Sequence, residues 1–199
     1  MLKIAQIHYL CIPFYSKIVA LEQHIVKIWN RFRDGDENAL AILFETFSES
    51  LYRYGMKFVA DESLVKDCIQ DLFVKLHERK SSLPPTENPG FYLLLSIKNL
   101  LLDVMAKNQR LLYFPPEELP FIATYSSVDE EYDTEEEEQN REKLQEILQM
   151  LNPRQKEAIY LRYQLDLSYE EVAELLGVNY QSARNLIHRA ITKIRKRTA

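Results

Sequence analysis

Residues Leu167–Lys196, LSYEEVAELLGVNYQSARNLIHRAITKIRK, restrict the fold of this chain more than any other stretch. They hold a helix start, a helix stop and a second helix start in close succession. Ser168 and Glu171 have capping-box spacing, which opens the first helix. Val172, Leu175 and Leu176 give it one apolar face. Gly177 suits the left-handed conformation that ends a helix, and Asn179 suits the cap of the next. From Tyr180 to Ala199 there are six Lys/Arg and no Asp/Glu. Ala183, Leu186, Ile187, Ala190, Ile191 and Ile194 recur at helical spacing and should face inward, with Gln181, Arg184, Asn185 and His188 opposite. Arg, Asn and Gln can each pair with base edges through two hydrogen bonds. A helix, a tight turn and a basic second helix is the arrangement that offers one helix to the DNA major groove. A solvated basic helix closing a small bundle has the same composition; the cap–turn–cap grammar favours DNA binding over it.

The rest of the chain keeps the helical period. Its 199 residues allow one large domain or two small ones, and with only 4 Gly and little strand-like alternation the expected class is all-α. Cys11 and Cys68 lack metal-ligand spacing, so no zinc set is expected, and two lone cysteines fit a reducing, cytoplasmic setting. Met1–Ala20 is apolar, but Pro13 interrupts it, Lys17 closes it and no small-residue cleavage pattern follows. It is too short to span a bilayer, and residues 1–21 read as a dispensable extension of unknown role, with a weak membrane contact as the alternative. The net charge of −5 is segregated. Residues 1–110 carry 14 basic and 13 acidic side chains; 111–140 carry 10 acidic and none basic; 141–199 carry 11 basic and 7 acidic. Phosphate contacts are local and screened beyond roughly 10 Å, so the basic C-terminal part matters more than the total.

The periodicity predicts helices over Leu21–Phe32, Glu37–Val59, Glu62–Arg79 and Phe91–Lys107. Asp34, Gly35 and Asp36 break the first, and Asp61 caps the third. Leu40, Phe44, Phe47, Leu51, Tyr54 and Phe58 form the expected stripe of the second; Val65, Cys68, Ile69, Leu72 and Leu76 that of the third. Ser81–Gly90, SSLPPTENPG, is a loop by composition. These elements make a helical domain over 22–110. An acidic linker, 111–138, follows; Pro115, Pro116 and Pro120 deny it a helix at its start, and eight acidic residues in Asp129–Glu138 repel one another and extend it. A second helical domain, 139–199, contains a helix to Leu151, another from the cap-and-proline pair Asn152–Pro153 to about Leu165, and the two-helix unit described first.

With both halves in place, the chain resembles bacterial RNA polymerase sigma factors of the extracytoplasmic-function, group IV type of the sigma-70 family, over about residues 24–198. Three blocks carry the resemblance. Val65–Leu76, VKDCIQDLFVKL, meets the family pattern D-x-x-Q-x-x-F with Asp67, Gln70 and Phe73; Asp71 shares the polar face with Asp67 and Gln70. The resemblance implies that this helix binds the clamp of the polymerase β′ subunit. Tyr92–Asp103, YLLLSIKNLLLD, resembles the helix after the loop that reads the −10 promoter element. There the family captures a base flipped from the melted strand. That implies base reading by Asn99 with Ser81–Gly90 as the loop, and phosphate contacts from Lys98, Lys107 and Arg110. Ala106 stands where the family usually has Arg. Leu151–Lys196 resembles the −35-reading domain in order and spacing, which puts Tyr180, Gln181, Arg184, Asn185, His188 and Arg189 on or near the groove face, with Arg162 touching phosphate or supporting the fold. Leu186 and Ile191 stand where relatives often carry a basic residue, which implies a thinner basic surface and more reading of groove shape.

The function so implied is a sigma factor that joins core polymerase through the β′ clamp and β flap and directs it to promoter DNA, with an anti-sigma factor as a further partner. The acidic linker would thread the RNA exit channel. No paired carboxylates, nucleophile–base set or phosphate-binding glycine loop is evident, so no enzyme activity, cofactor, metal or small-molecule substrate is expected. Two other classes fit the sequence less well. A response-regulator-type transcriptional regulator would need an N-terminal domain of alternating strands, against the helical period of 22–110. A helical adaptor without DNA function would leave the basic C-terminal helix unexplained.

Overall fold

Helix caps and helix-breaking turns set the architecture. The computed structural model describes residues 22–107, Phe121 and residues 145–198, and these fall into two compact units, one N-terminal and one C-terminal. Every regular element among the described residues is helical, so the all-α expectation holds. Sequence readings that fall on the extension 1–21, on Arg110 and on the acidic linker other than Phe121 lie outside the described residues.

The N-terminal unit contains α1 (Glu22–Arg33), α2 (Glu37–Gly55), α3 (Glu62–Glu78) and α4 (Pro89–Lys107), with a 3₁₀ turn at Lys80–Ser82. Gly35, at φ 103°, turns the chain after α1, and the Asp36 carboxylate accepts the Asn38 amide to start α2. Asp61 caps α3 through the Leu64 amide, as its sequence predicts. The helix α2 packs on all three others. Trp29, Phe32, Leu43, Leu51, Tyr54, Leu93 and Ile97 are fully buried between them, each contributing about 1.5–3 kcal/mol by leaving water. Helix α4 is long and apolar enough to cross a membrane by length and composition, but Leu93, Leu94, Ile97, Leu101 and Met105 lie in this core.

Three expectations are corrected here. The second helix stops at Gly55, four residues short of Val59, and the following turn folds Phe58 edge-on to Tyr54, with ring centroids 5.1 Å apart. The inner face of α2 is Ala39, Leu43, Leu51 and Tyr54, while Phe44 is 45% exposed at the edge. The loop ends at Asn88, because its side chain accepts the Phe91 amide (2.9 Å) and lets Pro89 and Gly90 enter the first turn of α4.

The C-terminal unit contains a helical turn at 145–149, α5 (Pro153–Ile159), α6 (Tyr169–Leu176) and α7 (Tyr180–Thr198). Asn152 forms a full capping box with Gln155 at the start of α5. The expected continuation to Leu165 is not α-helical. Tyr160–Gln164 widens into a π turn, where the Leu165 amide reaches back to the Tyr160 carbonyl (3.2 Å). Asp166 then takes φ 50° to reverse the chain. Helix α7 packs on α5 and α6 through Ala183, Ile187, Ala190 and Ile194, all buried; Leu186 and Ile191 are only half-buried. Phe121 is buried with its ring 5.6 Å from that of Tyr160.

Candidate nucleic-acid interface

In the C-terminal unit the predicted cap–turn–cap signals all form. Ser168 and Glu171 make a reciprocal capping box, Gly177 sits at φ 62° and ψ 37°, and the Asn179 side chain accepts the Ser182 amide at 2.8 Å. This turn fixes the exit of α6 and the entry of α7. Gln181, Arg184, Asn185, His188 and Arg189 then lie at i, i+3, i+4, i+7 and i+8, and all five are exposed. The Gln181 amide donates to the Asn185 side-chain oxygen (3.3 Å), so two groups able to read base edges are already aligned. Tyr180 is 43% exposed at the helix tip, edge-on to Tyr169 with centroids 6.0 Å apart.

Five of the six basic side chains of α7 fall into two sets. Lys193 is tied to its own unit, donating to the Gln155 side-chain oxygen (3.1 Å) and the Met150 carbonyl (3.4 Å), and Arg197 lies 3.6 Å from Glu146. Arg184, Arg189 and Lys196 are exposed and pair with no described acid. Arg162 is a clasp. Its guanidinium donates to the Leu167 carbonyl (2.8 Å) and to Asp166 (3.3 Å), and lies 5.4 Å from the Tyr169 ring centroid. Of the two roles left open for it, the geometry gives support of the fold.

The N-terminal unit presents two surfaces. On α3, Asp67, Gln70 and Asp71 are exposed on one face. Phe73 is buried beneath, 5.0 Å from the Phe44 ring at an interplanar angle of 75°. Phe44 and Val74, 45% and 49% exposed, add an apolar patch beside the acidic face that sequence periodicity alone did not reveal. Burial, and then the carboxylates of Asp71 and Asp67, push the Cys68 thiol up, which keeps it protonated and unreactive.

The other surface is α4 with its preceding loop. Asn99, Asp103 and Lys107 are exposed at i, i+4 and i+8 along one stripe. Lys98 is corrected: it is 5% exposed, with its ammonium 5.5 Å from the Phe58 ring centroid, so it packs inside the unit and offers no open grip on a phosphate. Residues 83–88 are anchored from α1. The Trp29 indole donates to the Pro84 carbonyl (3.1 Å) and the Arg33 guanidinium to the Leu83 carbonyl (2.8 Å). Trp29 and Arg33 were not singled out from sequence, and no local signal could have found contacts that span 55 and 50 residues. Among the described residues no cluster of His, Cys, Asp and Glu could hold a metal ion.

Comparison with known proteins gives matches to both halves. The model described as Sigma-70 region 2 matches residues 43–111, and that described as Sigma-70, region 4 matches residues 141–194. The chain is 27% identical over 151 residues to an RNA polymerase sigma-E factor of Streptomyces avermitilis, covering 76% of this chain and 80% of that one. Among solved structures it is similar in fold to CnrH in complex with the cytosolic domain of CnrY (TM-score 0.56, 18% identity, 86% of this chain and 94% of that one). It is similarly close to the sigma factor RpoE in complex with the anti-sigma factor NepR from Bartonella quintana (TM-score 0.55, 18% identity, 79% and 95%).

Proposed function

The chain belongs to the sigma-70 family of RNA polymerase sigma factors, in its extracytoplasmic-function branch, and from that premise we propose how its surfaces share promoter recognition. As a sigma factor it directs core polymerase to promoters. The observation that carries the assignment of parts is the pairing of an acidic-apolar helix face in one unit with a capped, basic reading helix in the other.

In this reading the domain over 22–110 binds core through Asp67, Gln70 and Asp71, with Phe73 holding α3 against α2 and Phe44 and Val74 widening the contact. Exposed apolar groups beside carboxylates suit a basic, partly apolar partner such as the β′ clamp. Asn99 reads a base of the melted −10 strand, and Lys107 with Arg110 holds phosphates. The domain over 139–199 docks near the β flap and reads −35 duplex with Tyr180, Gln181, Arg184, Asn185, His188 and Arg189. The linker 111–138 joins them, and two modest sites on one chain raise each other's effective concentration. The protein lends recognition and performs no bond chemistry; it acts in the cytoplasm, where core polymerase works. An anti-sigma factor is a further partner, a proposal that extends the partner named with the Bartonella relative to this chain.

Pull-down with core polymerase followed by in vitro transcription tests the assignment. Asp67→Ala combined with Gln70→Ala should weaken core association while duplex binding by the other unit persists. Asn99→Ala should change −10 preference while core association survives. Unchanged association in the first variant removes the α3 face from the interface; unchanged preference in the second returns Asn99 to a solvated position.

A further inference from the structure

Phe121 stands inside the acidic linker, yet it is 3% exposed. Its ring centroid lies 5.6 Å from that of Tyr160, at an interplanar angle of 59°. A tilted aromatic pair at this separation attracts beyond the burial of its area. The two residues are 39 positions apart, so the ring does not merely fold back on its own neighbours. Tyr160 belongs to a fixed part of the C-terminal unit. Its carbonyl accepts the Leu165 amide (3.2 Å) to close the π turn, and Leu161 beside it is fully buried. Phe121 is part of that same compact unit. A spacer has no use for a buried ring, since polar, like-charged composition already extends it. Seating the ring removes a large apolar surface from water, which offsets the ordering of one linker residue.

We infer that Phe121 anchors the linker to the C-terminal unit at Tyr160, and that it stays seated while both units engage core polymerase. The surface at Tyr160 is thus an interaction site whose occupant is the chain's own linker. The tether between the units is then residues 108–120, thirteen in number, in place of the thirty-seven of 108–144. Fully extended from Lys107, it reaches about 50 Å to the anchor, where the whole segment would reach about 130 Å. Residues 122–144 drop out of the tether, so their length no longer governs how far the units part. Effective concentration falls roughly as the −3/2 power of tether length, so the anchor raises the concentration of one unit at the other's site by about fivefold. The inference rests on the reading that both units bind core polymerase, because only a shared partner turns a shorter tether into affinity.

The test places one flexible Gly/Ser insert of about 24 residues at either of two positions in the full chain, after Tyr113 or after Thr134, and titrates each protein against core polymerase. The insert after Tyr113 lengthens the tether and should weaken binding about fivefold, whereas the insert after Thr134 should leave it unchanged. Phe121→Ser alone should weaken binding about fivefold, and in that background the two inserts should become equivalent, at about twofold each. Phe121→Leu, which keeps an apolar side chain, should stay close to wild type. Phe121→Ser should also lower the thermal midpoint of the C-terminal unit by about 5 °C or more, read from the amides of α5. Equal effects of the two inserts without the Phe121 substitution mean that the whole linker is the tether and overturn the inference. An unchanged midpoint in Phe121→Ser overturns it as well. A wild-type chain that leaves core polymerase unbound overturns the sigma-factor reading instead, and the midpoint alone then decides whether the ring is seated.

Discussion

Arg162→Met tests whether this arginine holds the reading domain together or touches DNA. Methionine keeps most of the side-chain volume and removes the guanidinium. Three interactions are lost. The charge-assisted hydrogen bond to the Leu167 carbonyl, at 2.8 Å, is the largest, worth about 1.5–3 kcal/mol. Stacking over Tyr169 adds about 0.5–1 kcal/mol. The pair with Asp166 is half exposed and discounted accordingly, at about 0–1 kcal/mol. Overlap among them leaves an expected loss of about 2–4 kcal/mol for the C-terminal unit. A domain of that size loses about 4–8 °C of thermal midpoint per kcal/mol, so the unit should melt at least about 8 °C lower, with the amides of α6 losing exchange protection. Well below that temperature, duplex binding in holoenzyme should keep its salt dependence. If Arg162 instead gripped a phosphate, the thermal midpoint would stay put and the salt slope would drop by about one. That pair of results would refute the clasp.

Further outcomes follow from other sites. Arg184→Ala should weaken −35-dependent initiation by about 1–3 kcal/mol of binding if the side chain makes a paired base contact, measured by initiation from promoters mutated base by base; equal losses on all sequences would make it a phosphate contact. Gly55→Ala should destabilise the N-terminal unit by up to about 2 kcal/mol. The added Cβ would lie 2.7 Å from a Val65 methyl and 3.3 Å from Leu101, which outweighs the gain in helix propensity, and thermal melting reads the result. Arg31 holds the Asp36 carboxyl below the usual carboxylate range, assisted by the Asn38 amide. Its folded value lies below its unfolded one, so the stabilisation is complete above the unfolded value and fades as pH falls through the folded one. Asp36→Asn should flatten the acid limb of a stability–pH curve.

The elements that were legible in the sequence are those governed by near neighbours. Asp61, Ser168 with Glu171, Gly177 and Asn179 act within a few residues of themselves, and each forms the cap its position predicts. The exposed face of α7 followed from spacing alone, once its buried stripe of Ala183, Ile187, Ala190 and Ile194 was set. The misjudged features depend on distant partners. Lys98 reads as a surface cation until Phe58 is placed against it. Phe44 reads as core in the α2 stripe, but it sits at the edge, against Phe73 of α3. The π turn at Tyr160–Gln164 inserts into an otherwise helical period; the Leu165 and Leu167 amides close it onto the Tyr160 and Leu161 carbonyls, and Arg162 holds the chain there at Asp166 and Leu167. The anchors of the 83–88 loop come from a helix fifty residues away.

The central claim is that both units serve core polymerase. Purified protein should form a stable complex with core polymerase, and that complex should start transcripts at defined promoters that core alone ignores. A chain that binds duplex DNA through its C-terminal unit yet leaves core polymerase unbound and unable to choose a start site would contradict the account.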